Sequence, residues 1–396
     1  MTLILAVNAG SSSLKACVLN GASHILSFEA ERLSTSDSVL HVEDENGNKN
    51  DIEEANLDHE RSLKRILSQL KEKQLLDSLV AVGHRVVHSG STFKGSVVID
   101  EDSLDKMEQV SHLAPLHNPN NIAAIKICRE ALPKLLHVAV FDTSFHSTLP
   151  DYASTYPLPK EYRDVGIRKY GFHGTSVRYV MRKATEVLQS LHHKPAYNML
   201  ICHLGNGASV TAVSNNESLE TTMGFSPLPG LMMGSRCGDI DPAVVSFAIH
   251  NLDKDVDMVL EDLNKRSGLT GMTNDVDNDM RTLLEQADNE EKAMLAVEMF
   301  VYSLTKHMAG CLVALPGRID AIVFTAGIGA HSAEIRSRCL ERLRFIVPIE
   351  LDEELNVQDG KETQGVISKT GSWPVCFDIP TDEEFEIANE CRRLLH

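Results

Sequence analysis

Residues 3–18, LILAVNAGSSSLKACV, decide the fold. Leu3 to Val7 form a short apolar run of the kind that makes a fully buried strand. Ala9-Gly10-Ser11-Ser12 reads as a tight turn, and Leu14 to Val18 as a second strand. Gly10 is free to take positive φ. A small polar turn brings backbone N–H groups and hydroxyls close to an anion. Lys15 supplies a positive charge just past the turn, and Asn8 offers a neutral oxygen to a hydrated metal. The same residues also suit an ordinary hairpin with a serine-rich loop, because short motifs recur by chance.

Residues 200–213, LICHLGNGASVTAV, repeat this design in the second half. Laid on the first stretch without a gap, Leu5 meets Leu200, Gly10 meets Gly205, Val18 meets Val213 and Asn20 meets Asn215. Two such hairpins, one per half, suit a polyphosphate held between them. The length, 396 residues, also exceeds what one core usually spans.

Composition narrows the class. A net charge of −18 argues against nucleic acid and anionic membrane as partners. No run is long enough to span a bilayer. The apolar N-terminus lacks a basic flank, so it does not read as a signal peptide. The eight cysteines show no close pairing, which predicts reduced thiols in a cytoplasm and no zinc cluster.

Further along, residues 35–60 read as a surface hairpin and loop, and Leu63 to Leu76 as an amphipathic helix. LVAVGHRVVHSG, residues 79–90, is a strand in which Arg85 and Val87 share a face. His84 and His88 lack the HExxH pattern and are expected to be structural. Asn118 and Pro119 predict a helix start, as cap and first residue. Asp142 ends an apolar strand, where α/β sheets place catalytic groups. Residues 223–242, MGFSPLPGLMMGSRCGDIDP, form a long apolar loop around a lone Arg236 and predict a substrate wall. Glu290 to Leu315 predicts a core helix. Strand 319–325, then Ala326-Gly-Ile-Gly329 and a helix, has a nucleotide-binding arrangement. Thr381 and Glu384 have capping-box spacing, leaving Glu383 free to point elsewhere.

Ten motifs in this order closely resemble the acetate kinase family, in the wider group of sugar kinases, actin and chaperone ATPases. They are NAGSSSLK from Asn8, GHRVVHSG from Gly83, APLHNP from Ala114, FDTSFH from Phe141 and YGFHGTS from Tyr170. HLGNGAS from His203, the loop from Met223, NDMR from Asn278, FTAGIG from Phe324 and PTDEE from Pro380 complete the set. The resemblance implies an α/β fold of two duplicated ribonuclease-H-like (actin-like ATPase) domains around a central cleft. Residues 1–149, joined by a C-terminal helix 381–396, would form one domain and residues 150–380 the nucleotide-binding one. It also implies a homodimer.

The implied reaction moves a phosphoryl group between ATP and acetate or another short carboxylate, with Mg²⁺ or Mn²⁺. A carboxylate is ionised at neutral pH, so catalysis must come from alignment and gathered cations rather than a strong base. By resemblance, Arg85 and Arg236 flank the two anions, His173 and His203 donate to phosphoryl oxygens, and Asp142 orients an arginine or polarises the substrate. Asn8 and Glu383 would hold the metal. Ser11, Ser13, Lys15 and His203-Leu204-Gly205-Asn206-Gly207 would line the phosphates. Asp279, Met280, Arg281 and Gly327-Ile328-Gly329-Ala330-His331 would hold the nucleoside. Val87, Leu116, Phe172 and Pro227 would form the pocket for the methyl group. The family usually has Glu-Asn after GIG, His after GTS and Glu in PLEG, where this chain has Ala330-His331, Val177 and Pro229. A propionate kinase and a pyrophosphate-dependent kinase remain as alternatives, and an actin-like switch as the non-enzymatic one.

Overall fold

The apolar run at residues 3–7 is continuous because it is covered twice. In the computed structural model, which describes residues 2–10, 13–115, 117–273 and 278–395, it lies in strand β1 (Leu3–Ala9). Leu3, Leu5 and Val7 face one core with Leu63, Ile66 and Leu70 of the helix His59–Glu72. Ile4 and Ala6 face another with Ile387, Ala388 and Cys391 of the C-terminal helix, Glu383–Leu394. A strand buried on both faces needs an apolar residue at every position.

Four strands extend this sheet on one side: β2 (Leu14–Asn20), β3 (Ser23–Glu31), β4 (Val39–Asp44) and β5 (Lys49–Glu53), each antiparallel to the last. On the other side β6 (Leu79–Val86) joins β1 in parallel. β7 (Val97–Val98) pairs antiparallel to β8 (Leu136–Phe141), which itself runs parallel to β6. The order is β5-β4-β3-β2-β1-β6-β8-β7. These strands and the C-terminal helix belong to one compact unit, Met1–Ser147 with Asp382–His396.

The other unit, Thr148–Thr381, carries β9 (Asn198–Leu204), β10 (Ala208–Ser214), β11 (Glu217–Thr221), β12 (Ala321–Thr325) and β13 (Val375–Asp378). Their order is β11-β10-β9-β12-β13, with β9, β12 and β13 parallel. The first unit's β3-β2-β1-β6-β8 has the same order and the same strand senses. This is the duplicated α/β plan that the sequence predicts. The gapless superposition, however, slips. Ala9 pairs with Leu14 across four intervening residues, whereas Leu204 pairs with Ala208 across three. The second turn is one residue shorter, so Leu14 corresponds to Ala208, and Val18 does not meet Val213.

Other expectations also need correction. The helix Asn118–Ala131 is preceded by His117, and the Asn118 side chain bonds the His88 backbone instead of capping. Asp382, not Thr381, caps the C-terminal helix, its carboxylate accepting from Phe385 N at 2.8 Å. β6 ends at Val86, so Val87 lies beyond the alternation that would put it on the face of Arg85. The helix Glu291–Leu312 buries only one stripe and leaves Met294, Leu295, Met299 and Tyr302 exposed. The helix Gly174–Leu191 buries Val177, Val180 and Ala184 and leaves Leu191 exposed. Among the described residues no helix is long and apolar enough to cross a membrane.

The C-terminal helix can lie on the sheet because β6 carries Gly83. A Cβ there would meet Ile387 Cγ2 and lie 2.7 Å from Cys391 Sγ. Gly83→Ala is therefore expected to destabilise by about 1–3 kcal/mol, the usual cost of overpacking a fitted interface. A thermal melt is the check: an unchanged Tm would mean the helix yields freely at this crossing.

Candidate active site

In a parallel sheet the strand C-termini come to one edge, where functional groups collect. β1, β6 and β8 bring Asn8, Arg85 and Asp142 together in this way. Asp142 follows β8 directly, its N–H bonded to Val86 O at 3.1 Å. Arg85 Nε lies 3.1 and 3.0 Å from the two Asp142 carboxylate oxygens, and Nη2 donates to Oδ2 at 2.5 Å. Arg85 Nη1 donates to Asn8 Oδ1 at 2.9 Å. Burial works against the Arg85 charge, but Asp142 and Glu383 more than compensate and raise its pKa.

The strand ends are held by two amides that the sequence reading missed. Asn118 spans the His88 backbone, donating to its O and accepting from its N, both at 3.0 Å. Asn121 accepts from Val87 N at 3.1 Å and donates to Ala9 O at 2.7 Å. The signal was the NPNN run itself, read only as a helix start. His84 is a core histidine, as expected: its Nε2 lies 3.1 Å from His137 Nδ1, and burial holds its pKa well below the usual range.

Glu383 begins the C-terminal helix. Its carboxylate makes no hydrogen bond or ion pair with the described residues and is half-buried. Burial pushes its pKa up to about 7; Arg85 pulls the other way, and Asp142 and Glu384 add to the push. A carboxylate in this state fits a cation supplied from outside. Among the described residues no group of three or more His, Cys, Asp or Glu gathers into a metal cluster. A cation at Asn8 and Glu383 would therefore keep most of its shell as water or substrate oxygen, as Mg²⁺ prefers. Lys15 is not poised over the turn. It stands opposite Glu29 on β3 and pairs with it at 2.6 Å. Ser13 closes the turn through its backbone, accepting from Gly10 N at 2.8 Å; Ser11 and Leu116 lie outside the described residues.

The second unit gathers another group. His173 precedes the helix Gly174–Leu191 in the left-handed region, at φ 62°, an unusual conformation for a residue with a side chain. Its ring stacks on that of His203, with centroids 4.0 Å apart. His173 Nδ1 lies 2.9 Å from Ser209 Oγ, and His203 Nδ1 2.8 Å from Ser176 Oγ. These serines orient the rings and were missed as individuals, although HGTS and GNGAS contain them. A Cβ on Gly207 would sit 3.1 Å from Arg236 Nη1 and 3.4 Å from His173 Nε2. Gly207 thus lets the turn approach both cation and ring.

Arg236 has an unusual environment. Its Nη1 has only Pro227 O at 3.5 Å and Met233 Sδ at 3.9 Å, and among the described residues no carboxylate pairs with it. Burial lowers its pKa. A withdrawn guanidinium without a counter-ion is costly unless an anion arrives.

Beside this group lies a cavity of about 540 Å³. Gly205, Asn206, Asp279, Met280, Arg281, Gly327, Ile328 and His331 of the predicted set line it, with Gly234, Asn278 and Ser332 in addition. Leu204, Gly329 and Ala330 are buried behind it rather than on its wall. Asp279 caps the helix Met280–Gln286 and holds Arg281, at 2.6 Å between Oδ2 and Nη2. Of the predicted acyl pocket, Val87 is buried in the first unit, Phe172 is buried in the second and Pro227 is partly exposed there.

Comparison with known proteins shows the family. A model of the acetokinase family matches residues 3–389. An acetate kinase of Clostridium botulinum is 44% identical over 404 residues, covering 99% of both chains. Acetate kinase 2 of Neisseria meningitidis is 42% identical over 399 residues, 99% of this chain and 98% of that one. Among solved structures, Porphyromonas gingivalis acetate kinase superposes with a TM-score of 0.90 at 34% identity, over 100% of both chains. A propionate kinase from Francisella tularensis superposes with a TM-score of 0.90 at 36% identity, over 98% of this chain and 99% of that one. With the duplicated sheets, the strand-end arginine and the glycine-lined cavity all present, the chain belongs to the acetokinase family.

Proposed function

We propose that this protein is an acetate kinase, reversibly transferring the γ-phosphoryl group of ATP to acetate to give acetyl phosphate and ADP. The observation that carries the proposal is Arg236, a half-buried guanidinium with no carboxylate partner among the described residues, set against Gly207 and His173. Arg236 and Arg85 neutralise the acceptor carboxylate and the transferring phosphoryl, for which planar guanidinium groups are suited. Asp142 acts by holding Arg85. His173 and His203 donate to phosphoryl oxygens. Asn8 and Glu383 hold Mg²⁺ or Mn²⁺, which supplies charge neutralisation on the phosphates. The 540 Å³ cavity takes the nucleoside.

Arg236→Ala is expected to lower kcat by about a hundredfold or more, the scale for losing a preorganised charge at the transition state. Trapping acyl phosphate with hydroxylamine measures it, and a folded variant of near-normal kcat would defeat the assignment. Run with propionate alongside acetate, the same assay decides the acceptor. The similarity to the Francisella propionate kinase makes that the competing outcome.

The donor reading rests on Ala330 and His331, which stand where the family usually has Glu-Asn, His331 lining the cavity. Losing one or two nucleoside hydrogen bonds costs about 0.5–1.5 kcal/mol each. ATP is therefore the expected donor, with a raised KM, GTP and ITP within about tenfold in kcat/KM, and pyrophosphate poor. Initial rates at matched Mg²⁺ compare them; pyrophosphate exceeding ATP would withdraw the nucleotide assignment.

The protein is also proposed to be a cytoplasmic homodimer that binds neither nucleic acid nor membrane. Its eight unbridged cysteines and net charge of −18 support the location and the lack of polyanionic partners. The dimer reading is supported by apolar side chains left in water on the second unit. The helix Ala243–Asn251 exposes Val244 and 63% of Phe247, and the helix Glu291–Leu312 exposes Met294, Met299 and 62% of Tyr302. Such residues clustered on the outer faces of helices mark interaction surfaces. Phe247→Asp is expected to shift the protein from dimer to monomer in size exclusion with light scattering. A wild-type monomer, or an unaffected dimer, would refute this surface.

A further inference from the structure

The first unit holds a nucleophile constellation that the kinase chemistry does not use. Cys17 on β2 places its Sγ 3.1 Å from His24 Nδ1, and His24 Nε2 lies 2.8 Å from Asp382 Oδ2. Ser27 Oγ is 3.5 Å from the same sulfur. The arrangement depends on a break in the β2–β3 ladder. Cys17 pairs with Ser27 and Val18 with Leu26, but Leu19 pairs with His24, so Ile25 is an extra residue. In a regular ladder His24 would face Asn20 and point to the opposite side of the sheet. The bulge re-aims it onto the face of Cys17 and Leu19, as bulges do near functional groups.

This face opens on a cavity of about 370 Å³, whose wall includes Cys17, His24 and Ser27, with Lys15, His41 and Glu384. The hydrogen bonds that His24 makes to Asp382 and then to Cys17 push its pKa up to about 10. The ring is then cationic at neutral pH and holds an N–H toward the Cys17 sulfur. Cys17 itself is only 2% exposed, so a reagent must be small enough to reach it through the cavity.

We propose that Cys17, His24 and Asp382 form a thiol–imidazole–carboxylate site at which small hydroperoxides oxidise Cys17 to the sulfenic acid. Sulfur attacks one peroxide oxygen, the S–O bond forms and the O–O bond breaks. Sulfur loses two electrons and the peroxide gains them. The leaving oxygen takes the proton held between Cys17 and His24 and departs, as water when the reagent is hydrogen peroxide. Asp382 orients the ring and also caps the helix that begins with Glu383.

Cys237 is the internal control. It is more exposed than Cys17, but burial raises its pKa, and among the described residues its sulfur has the Gly238 carbonyl rather than an imidazole as partner. The full-length protein is treated with hydrogen peroxide in the presence of dimedone, and each cysteine is followed by peptide mass spectrometry. Cys17 is expected to label about tenfold faster than Cys237, and His24→Asn or His24→Gln to slow Cys17 alone by about tenfold. Labelling led by Cys237, or folded His24 variants that label Cys17 at the wild-type rate, would overturn the proposal. Should both variants misfold, the wild-type order of the two cysteines decides. The readout needs no turnover, so its failure is separate from failure of the kinase reading.

Discussion

A guanidinium withdrawn from water must be held by something, and in the first unit Arg85 is held on two sides. Asp142 grips it through Nε and Nη2, and Asn8 accepts from Nη1. The three residues come from three parallel strands, so the contact depends on strand register. Asn118 and Asn121 keep that register at the open ends, where the ladder itself stops. Without these amides the backbone of residues 87–88 would have unsatisfied groups at a buried strand end. Charge, register and backbone satisfaction are therefore one requirement at this edge.

The second unit treats its cation differently. Arg236 has a carbonyl and a thioether for company, and no carboxylate among the described residues. Arg85 is held by a carboxylate, whereas no carboxylate among the described residues holds Arg236. Its position is set by the backbone around it, since Met233 N bonds Arg236 O and Gly234 N bonds Asn206 O. The long loop is ordered because it is tied to the second hairpin turn. That link holds the backbone of a segment without periodicity against the turn.

Duplication shows in strand order more than in residue identity. Both units keep the same five-strand pattern, yet the two hairpin turns differ by a residue and their ends carry different chemistry. Asn8 and His203 stand at matching positions, one residue before the end of the first strand of each hairpin. One bonds an arginine and the other stacks on a histidine. The C-terminal helix breaks the symmetry further by returning to the first unit, where Gly83 gives it room.

The sequence by itself determined the fold class and most of the chemical inventory. Continuous apolar runs announced strands covered on both faces, and small-residue turns announced the hairpins of both units. Asp279, Arg281, Gly327 and His331 were legible as a set because their motifs are local, and they line one cavity. Tertiary structure decided what local pattern could not. Asn118 and Thr381 looked like caps, but a cap is defined by which side chain reaches the free N–H groups, and packing gave those tasks to other residues. Lys15 reads in the sequence as a charge just past the turn, and only the tertiary structure shows Glu29 of the neighbouring strand as its partner. The stripe left bare on the helix Glu291–Leu312 could not be told from core, because hydrophobicity does not say what covers it. His24 met Cys17 only through a bulge, and a single extra residue in a ladder leaves no periodic trace in the chain.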